Sequence, residues 1–182
     1  MYWQDVGFLL SKNNLDENSI IIEAFTSRHG KYTGIVYGGS SRRQKRNFQI
    51  GNKILFNWKS KNENKSGYFN IELIKPIAPL FFDDKKKSVC ILAATSILKI
   101  LLPERQINEK VYNSFEQMLN NLISENWIQF YIHWELLLIK ELGFEIDFLK
   151  TKGSTSYSSL PIKNKMYANR RLLSEDIIFL LV

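Results

Sequence analysis

Two histidines, one cysteine, an adjacent pair of acids and a run of cations are the side chains of this sequence whose types could do chemistry. His29 stands in the basic turn Ser27-Arg28-His29-Gly30, and His133 lies in the aromatic stretch from Trp127 to Glu135. A metal site or an activated nucleophile needs partners at matched spacing, and no second His or Cys accompanies either histidine in that way. His133 therefore reads as a neutral or hydrogen-bonded structural histidine. Cys90 is the sole cysteine, which rules out an internal disulfide and any C-x-x-C zinc site. Asp83-Asp84 has the charge to hold a cation, but two acids at a helix start are explained by the helix dipole alone. Gly38-Gly39-Ser40-Ser41-Arg42-Arg43 has the small residues of a phosphate-cradling loop without the Walker spacing, and without G-x-G-x-x-G ahead of a helix. No catalytic residue, metal or cofactor is expected, and the chain reads as non-enzymatic.

What remains is charge. Residues 28 to 65 hold Arg28, Lys31, Arg42, Arg43, Lys45, Arg46, Lys53, Lys59, Lys61 and Lys65 against the single acid Glu63, a local excess of +9. The whole chain carries +7, so everything outside this segment sums to −2. Positive charge concentrated in this way is the footprint of a polyanion site, because each Lys or Arg beside a phosphate releases condensed counterions. The same segment carries Tyr32, Tyr37, Phe48, Phe56 and Trp58. Rings beside a cationic groove suit single strands, since bases stack on them while cations follow the backbone; several of these rings must also fill a core.

The elements that would position these groups divide the chain in two. Up to residue 75, short β-branched and aromatic stretches are broken by turn signals, and helical periodicity is absent. Strands are expected at Tyr2 to Leu10, Ser19 to Thr26, Lys31 to Tyr37, Lys53 to Trp58 and Gly67 to Ile74. Five such strands without an intervening helix fit a small closed barrel, of which the OB-fold is the common nucleic-acid-binding form and an SH3-like barrel the alternative. Pro76 and Pro79 end the last strand and favour an extended linker. From Asp83 the apolar spacing turns helical. Val89 to Ile100, Val111 to Leu122 behind a capping Asn108, and Trp127 to Leu142 closed by Gly143 mark three helices, the third hydrophobic nearly all round and expected to be buried. The fold class is thus α+β, with a five-stranded OB-fold β-barrel over residues 1–78 followed by an all-α helical domain over 79–182.

No apolar run is long enough for a membrane helix, and the start MYWQDVGF carries acid where a signal peptide carries base. A soluble cytoplasmic protein without a membrane partner is expected. Tyr157 to Lys165 reads as a polar loop, and Leu172 to Val182 as an apolar tail that must be buried or paired.

Several stretches resemble RecO of α-proteobacteria: Trp3-Gln4-Asp5-Val6-Gly7-Phe8-Leu9-Leu10, then Phe25-Thr26-Ser27-Arg28-His29-Gly30-Lys31, then Gly38-Gly39-Ser40-Ser41-Arg42-Arg43. The resemblance continues through Gln49-Ile50-Gly51-Asn52, Leu102-Pro103-Glu104-Arg105 and Trp134-Glu135-Leu136-Leu137-Leu138 to Gly143-Phe144-Glu145-Ile146-Asp147-Phe148. It covers about residues 1 to 150. It implies an N-terminal OB-fold, a C-terminal helical domain and a nucleoid-associated role in recombinational DNA repair without enzymatic turnover. The implied activities are binding of single- and double-stranded DNA, annealing of complementary strands and help in loading recombinase. The implied partners are RecR and the C-terminal tail of the single-strand-binding protein. Many relatives carry a four-cysteine zinc site after the segment matching Gly143 to Phe148; this sequence has Lys150-Thr151-Lys152 there, so zinc is not expected.

Joining the charge pattern to the resemblance, the expected DNA contacts are Arg28, Lys31, Arg42, Arg43, Lys45, Arg46, Lys53, Lys59 and Lys61, with Trp58 as the ring among them. Two other readings fit the residues alone. One is an RNA-binding OB-fold factor, since the fold does not select the sugar. The other is an adaptor whose basic face meets an acidic protein.

Overall fold

The computed structural model describes residues 1–39, 48–61 and 67–143. Five strands come first: β1 (Tyr2–Asn14), β2 (Ser19–Thr26), β3 (Gly30–Tyr37), β4 (Lys53–Lys59) and β5 (Gly67–Lys75). β1 is long because it serves two neighbours. Its first half pairs antiparallel with β4, from Tyr2↔Lys59 to Phe8↔Lys53, and its second half with β2, from Gly7↔Thr26 to Asn14↔Ile20. The register slips between Leu9 and Ser11, the kind of bulge that bends a strand from one neighbour to the next. β4 also pairs with β5, β2 with β3, and a short parallel seam, Gly34↔Gly67 and Ile35↔Tyr68, joins β3 to β5. The order β1-β2-β3-β5-β4 therefore closes on itself.

Strand alternation gives the closed sheet an apolar inside and a divided outside. Leu9, Ile22, Ile54, Phe56, Trp58 and Phe69 point inward and form one core cluster. On the outside, Phe8, Leu10 and Phe25 are also buried, but in a second cluster whose other members come from the helices. Those helices are α1 (Lys85–Leu101), α2 (Glu109–Asn120) and α3 (Trp127–Glu141). Their starts follow capping chemistry: Asp84 accepts from the Lys87 amide and Asn108 from the Val111 amide, each through Oδ1. Gly143, at φ +80°, follows the end of α3, where a left-handed residue lets the chain leave the helix.

Two expectations need correction. The Pro76–Pro79 segment is not an extended linker: Ile77 is buried, Ala78–Phe81 forms a 3-10 turn, and Asn52 Oδ1 accepts from the amides of both Ile77 (2.9 Å) and Ala78 (3.0 Å). Pro79, which cannot join a ladder, is thus folded into a turn seated on the barrel. α3 is not buried all round either. Trp127, Tyr131, Trp134 and Leu138 face the core at helical spacing, whereas Ile128 and His133 are exposed, so His133 is a surface residue and not a packed one. The loop from Tyr157 to Lys165 and the tail from Leu172 to Val182 lie outside the described residues.

Candidate nucleic-acid interface

Cross-strand partners project to the same side of a sheet, so the ladder can be read as rows across the outer face of β1, β4 and β5. The row nearest the β4–β5 connection is Tyr2, Lys59 and Tyr68; the next is Gln4, Asn57 and Asn70. Both rows reach solvent, Asn57 being half-buried, with Tyr2 68% exposed and Tyr68 40% exposed, against near-zero exposure for the inward Phe56, Trp58 and Phe69. Tyr37, at the end of β3 and 64% exposed, continues the first row by stacking on Tyr68, with ring centroids 5.2 Å apart and planes at 29°. A hydrogen bond with Tyr68 holds the Tyr37 phenol above its ordinary range. In the second row, Gln4 Nε2 and Tyr2 Oη both donate to Asn57 Oδ1, at 2.8 and 3.3 Å. Further along the same strands the face is covered. Phe8 lies in the core shared with the helices, Lys53 is ion-paired to Glu116 on α2, and Lys75 donates to Asn120 at 2.9 Å.

One end of the outer face of β2 and β3 is engaged as well. Lys99 on α1 pairs with Glu23 at 3.0 Å, and Thr33 donates to Glu104 at 2.8 Å. Beyond α1, the Arg105 amide donates to the Lys31 carbonyl at 2.8 Å, in a short parallel bridge along the edge of β3. The helices therefore leave open the upper part of β1, β4 and β5, with Tyr37 beside it.

The expected contact residues separate accordingly. Lys59 and Lys61 are exposed beside the tyrosine row, and the Arg28 side chain is 74% exposed at a different turn, with its Nε 3.4 Å from Asp5. Lys31 is not on this surface: it is 8% exposed, and its Nζ donates to the Lys99 carbonyl at 2.7 Å. The last turn of a helix has carbonyls without intrahelical partners and a negative dipole end, so a buried ammonium is stabilised there. Lys53 spends its charge on Glu116. Trp58 is a core ring, 3% exposed, packed where Gly34 and Gly67 leave room; a Cβ at Gly67 would fall 2.3 Å from the indole. Phe48 and Phe56 are core too, and Tyr32 is half-buried. Arg42, Arg43, Lys45 and Arg46 lie outside the described residues. The sequence reading missed Tyr2, Tyr68 and the amide row. Their signal was present in the alternation of β5, where Tyr68, Asn70 and Glu72 occupy the polar phase, but only the ladder register aligns them with β1 and β4.

The remaining titratable groups have structural settings. Asp5 is buried and accepts from Ser27 Oγ (2.7 Å), the amides of Arg28 (2.7 Å) and Val6 (2.8 Å), and lies 2.9 Å from His29 Nδ1. Burial pushes its carboxyl up, but the bonds from His29, Arg28, Ser27 and Val6 outweigh that and hold it below the usual range. His29 also stacks on Trp3 at 4.2 Å. The Cys90 thiol is pushed up to about 12 by burial and by the nearby Glu135 charge, so it stays a thiol in the core. Among the described residues, no group of three or more His, Cys, Asp or Glu could hold a metal, and no helix is long and apolar enough to cross a membrane.

Comparison with known proteins matches both halves of the chain to one family. A family model described as Recombination protein O N terminal matches residues 1–77, and one described as Recombination protein O C terminal matches residues 83–154. Relatives named DNA repair protein RecO include that of Cereibacter sphaeroides, 31% identical over 87% of this chain and 66% of its own length. A Wolbachia relative is 32% identical over 82% of this chain and 62% of its own, and that of Ehrlichia chaffeensis is 34% identical over 88% and 66%. The chain thus spans about two thirds of the length of the curated relatives it matches.

Proposed function

The chain belongs to the Recombination protein O family, and from that premise we propose that it is a non-enzymatic DNA-binding protein of recombinational repair. In this reading the β-barrel is an OB-fold that holds single- and double-stranded DNA, anneals complementary strands and helps a recombinase onto single strands. RecR and the tail of the single-strand-binding protein are its protein partners, by analogy with the family. The observation that carries the DNA-binding part is the segregation of charge, +9 within residues 28–65 and −2 elsewhere. Lys59 and Lys61 supply that charge at the open face, and Arg42, Arg43, Lys45 and Arg46 belong to the sequence that follows Tyr37 and Gly39. Arg28 adds a cation at a neighbouring turn. Phosphate neutralisation of this kind makes binding tolerant of sequence and sensitive to salt.

Titration of a labelled single strand at several salt concentrations tests the reading. If six cations engage phosphates, log affinity falls against log salt with a slope of roughly −4, at about 0.7 per phosphate. Addition of the complementary strand should then give duplex faster than in protein-free solution. A slope near zero, or folded protein that neither binds nor anneals, would remove DNA binding as the function. Tighter binding to a matched RNA strand would move the protein to RNA.

A further inference from the structure

The open face is divided between flat rings and side-chain amides in a way that backbone electrostatics does not require. Charge neutralisation needs only Lys and Arg. Yet the exposed row consists of three tyrosines around one lysine, with Gln4, Asn57 and Asn70 alongside. Here the exposed rings are contiguous and not scattered, and two of them are already stacked on each other. Two interstrand steps of about 4.8 Å place Tyr2, Lys59 and Tyr68 within about 10 Å across β1, β4 and β5, and Tyr37, two residues beyond Ile35 (the partner of Tyr68 on β3), extends the row through its ring contact.

We propose that this row is a single-strand-reading surface, on which unpaired DNA bases stack against Tyr2, Tyr68 and Tyr37 while Lys59 meets the intervening phosphate. The surface rests on the DNA-binding reading above and adds to it a distinction between strand forms. A base in duplex is stacked on its neighbours and offers no face to a ring; an unpaired base offers both. The amide row lies one pair of residues further along the strands, where Gln4, Asn57 and Asn70 carry donors and acceptors suited to base edges or sugar. The partial cover of β2 and β3 explains the location. With Glu23, Lys31 and Thr33 engaged by α1 and the residues after it, the surface left to a single strand is that of β1, β4 and β5 together with the Tyr37 end of β3.

The alternative role for Tyr37 and Tyr68 is to hold the short parallel seam between β3 and β5. Leucine at both positions keeps apolar packing across the seam and removes the ring faces, whereas phenylalanine keeps the faces. Full-length Tyr37→Leu/Tyr68→Leu is expected to lose about tenfold in single-strand affinity per ring that stacks. Duplex affinity and the salt slope should stay as in the wild type, because tyrosine is neutral. Tyr37→Phe/Tyr68→Phe should restore single-strand binding, and Lys59→Ala should reduce the slope by about 0.7. Photo-crosslinking of the wild-type chain to a halogenated-uracil single strand is expected to label Tyr2, Tyr37 or Tyr68, and this readout stands even if a leucine variant fails to fold. Unchanged preference for single strands in folded leucine protein, or crosslinks that avoid all three tyrosines, overturns the platform while DNA binding survives. Equal loss for single and double strands assigns the rings to the seam alone. Wild-type protein that binds neither form removes the DNA-binding reading and this inference with it.

Discussion

Asp5 shows how much one buried carboxylate organises. It holds the turn between β2 and β3 against β1 through Ser27, Arg28 and His29, and no neutral side chain of its size accepts as many bonds. Its folded carboxyl lies below the ordinary aspartate value of 3.8, so its contribution is present above that value in full and fades as pH falls through the folded one. Asp5→Ala should therefore lower stability by about 2–4 kcal/mol at neutral pH, from orphaned buried donors and a lost anion. Urea unfolding repeated from neutral pH down to about 3 should show the gap between the two proteins narrowing as pH falls below the ordinary aspartate value. A constant difference across that range would mean that Asp5 acts through packing alone. The sequence displayed His29 as a member of a basic turn; its stacking on Trp3 and its contact with Asp5 join residues 24 or more positions apart, which no local pattern reveals. The same limit applies to Lys31, whose basicity was legible and whose engagement with a helix carbonyl was not.

At the scale of elements, alternation and capping signals were sufficient for most of the fold. The five strands and three helices fall within a few residues of the expected ranges, because period-two apolar runs between turn residues and period-3.6 runs behind Asp84 and Asn108 have few competing interpretations. Interfaces between elements were not legible. The stretch after α1 returns to the edge of β3, where Gln106 O would lie 2.1 Å from a Cβ on Gly30, itself at φ +76°. That glycine is needed twice, for its backbone conformation and for the close approach. Gly30→Ala should cost at least about 2 kcal/mol, combining a left-handed alanine with displacement of Gln106. Amide exchange should quicken first at Arg105, whose N–H bond to Lys31 depends on that approach. If the Arg105 amide stays as protected as in the wild type while the protein is destabilised elsewhere, the edge contact is not what the glycine serves.

Taken whole, the described molecule has one apolar cluster inside the barrel and a larger one that the barrel shares with the helices. Phe8 sits at the join. It is fully buried, its ring lies 5.1 Å from Phe115 and 5.4 Å from Tyr112, and Lys53, paired to Glu116, reaches over its face at 5.9 Å. Barrel and helices are thus expected to unfold as one cooperative unit, because separating them exposes Phe8, Leu10 and Phe25 to water at about 1.5–3 kcal/mol for each side chain. Phe8→Ala should destabilise by about 3–5 kcal/mol through the lost transfer energy and the cavity left behind. That loss should appear equally in amide exchange measured in β4 and in α2, since neither cluster is closed without the residues at the join. Protection lost in α2 alone, with β4 unchanged, would show instead that the barrel is stable by itself and that the helices merely rest on it.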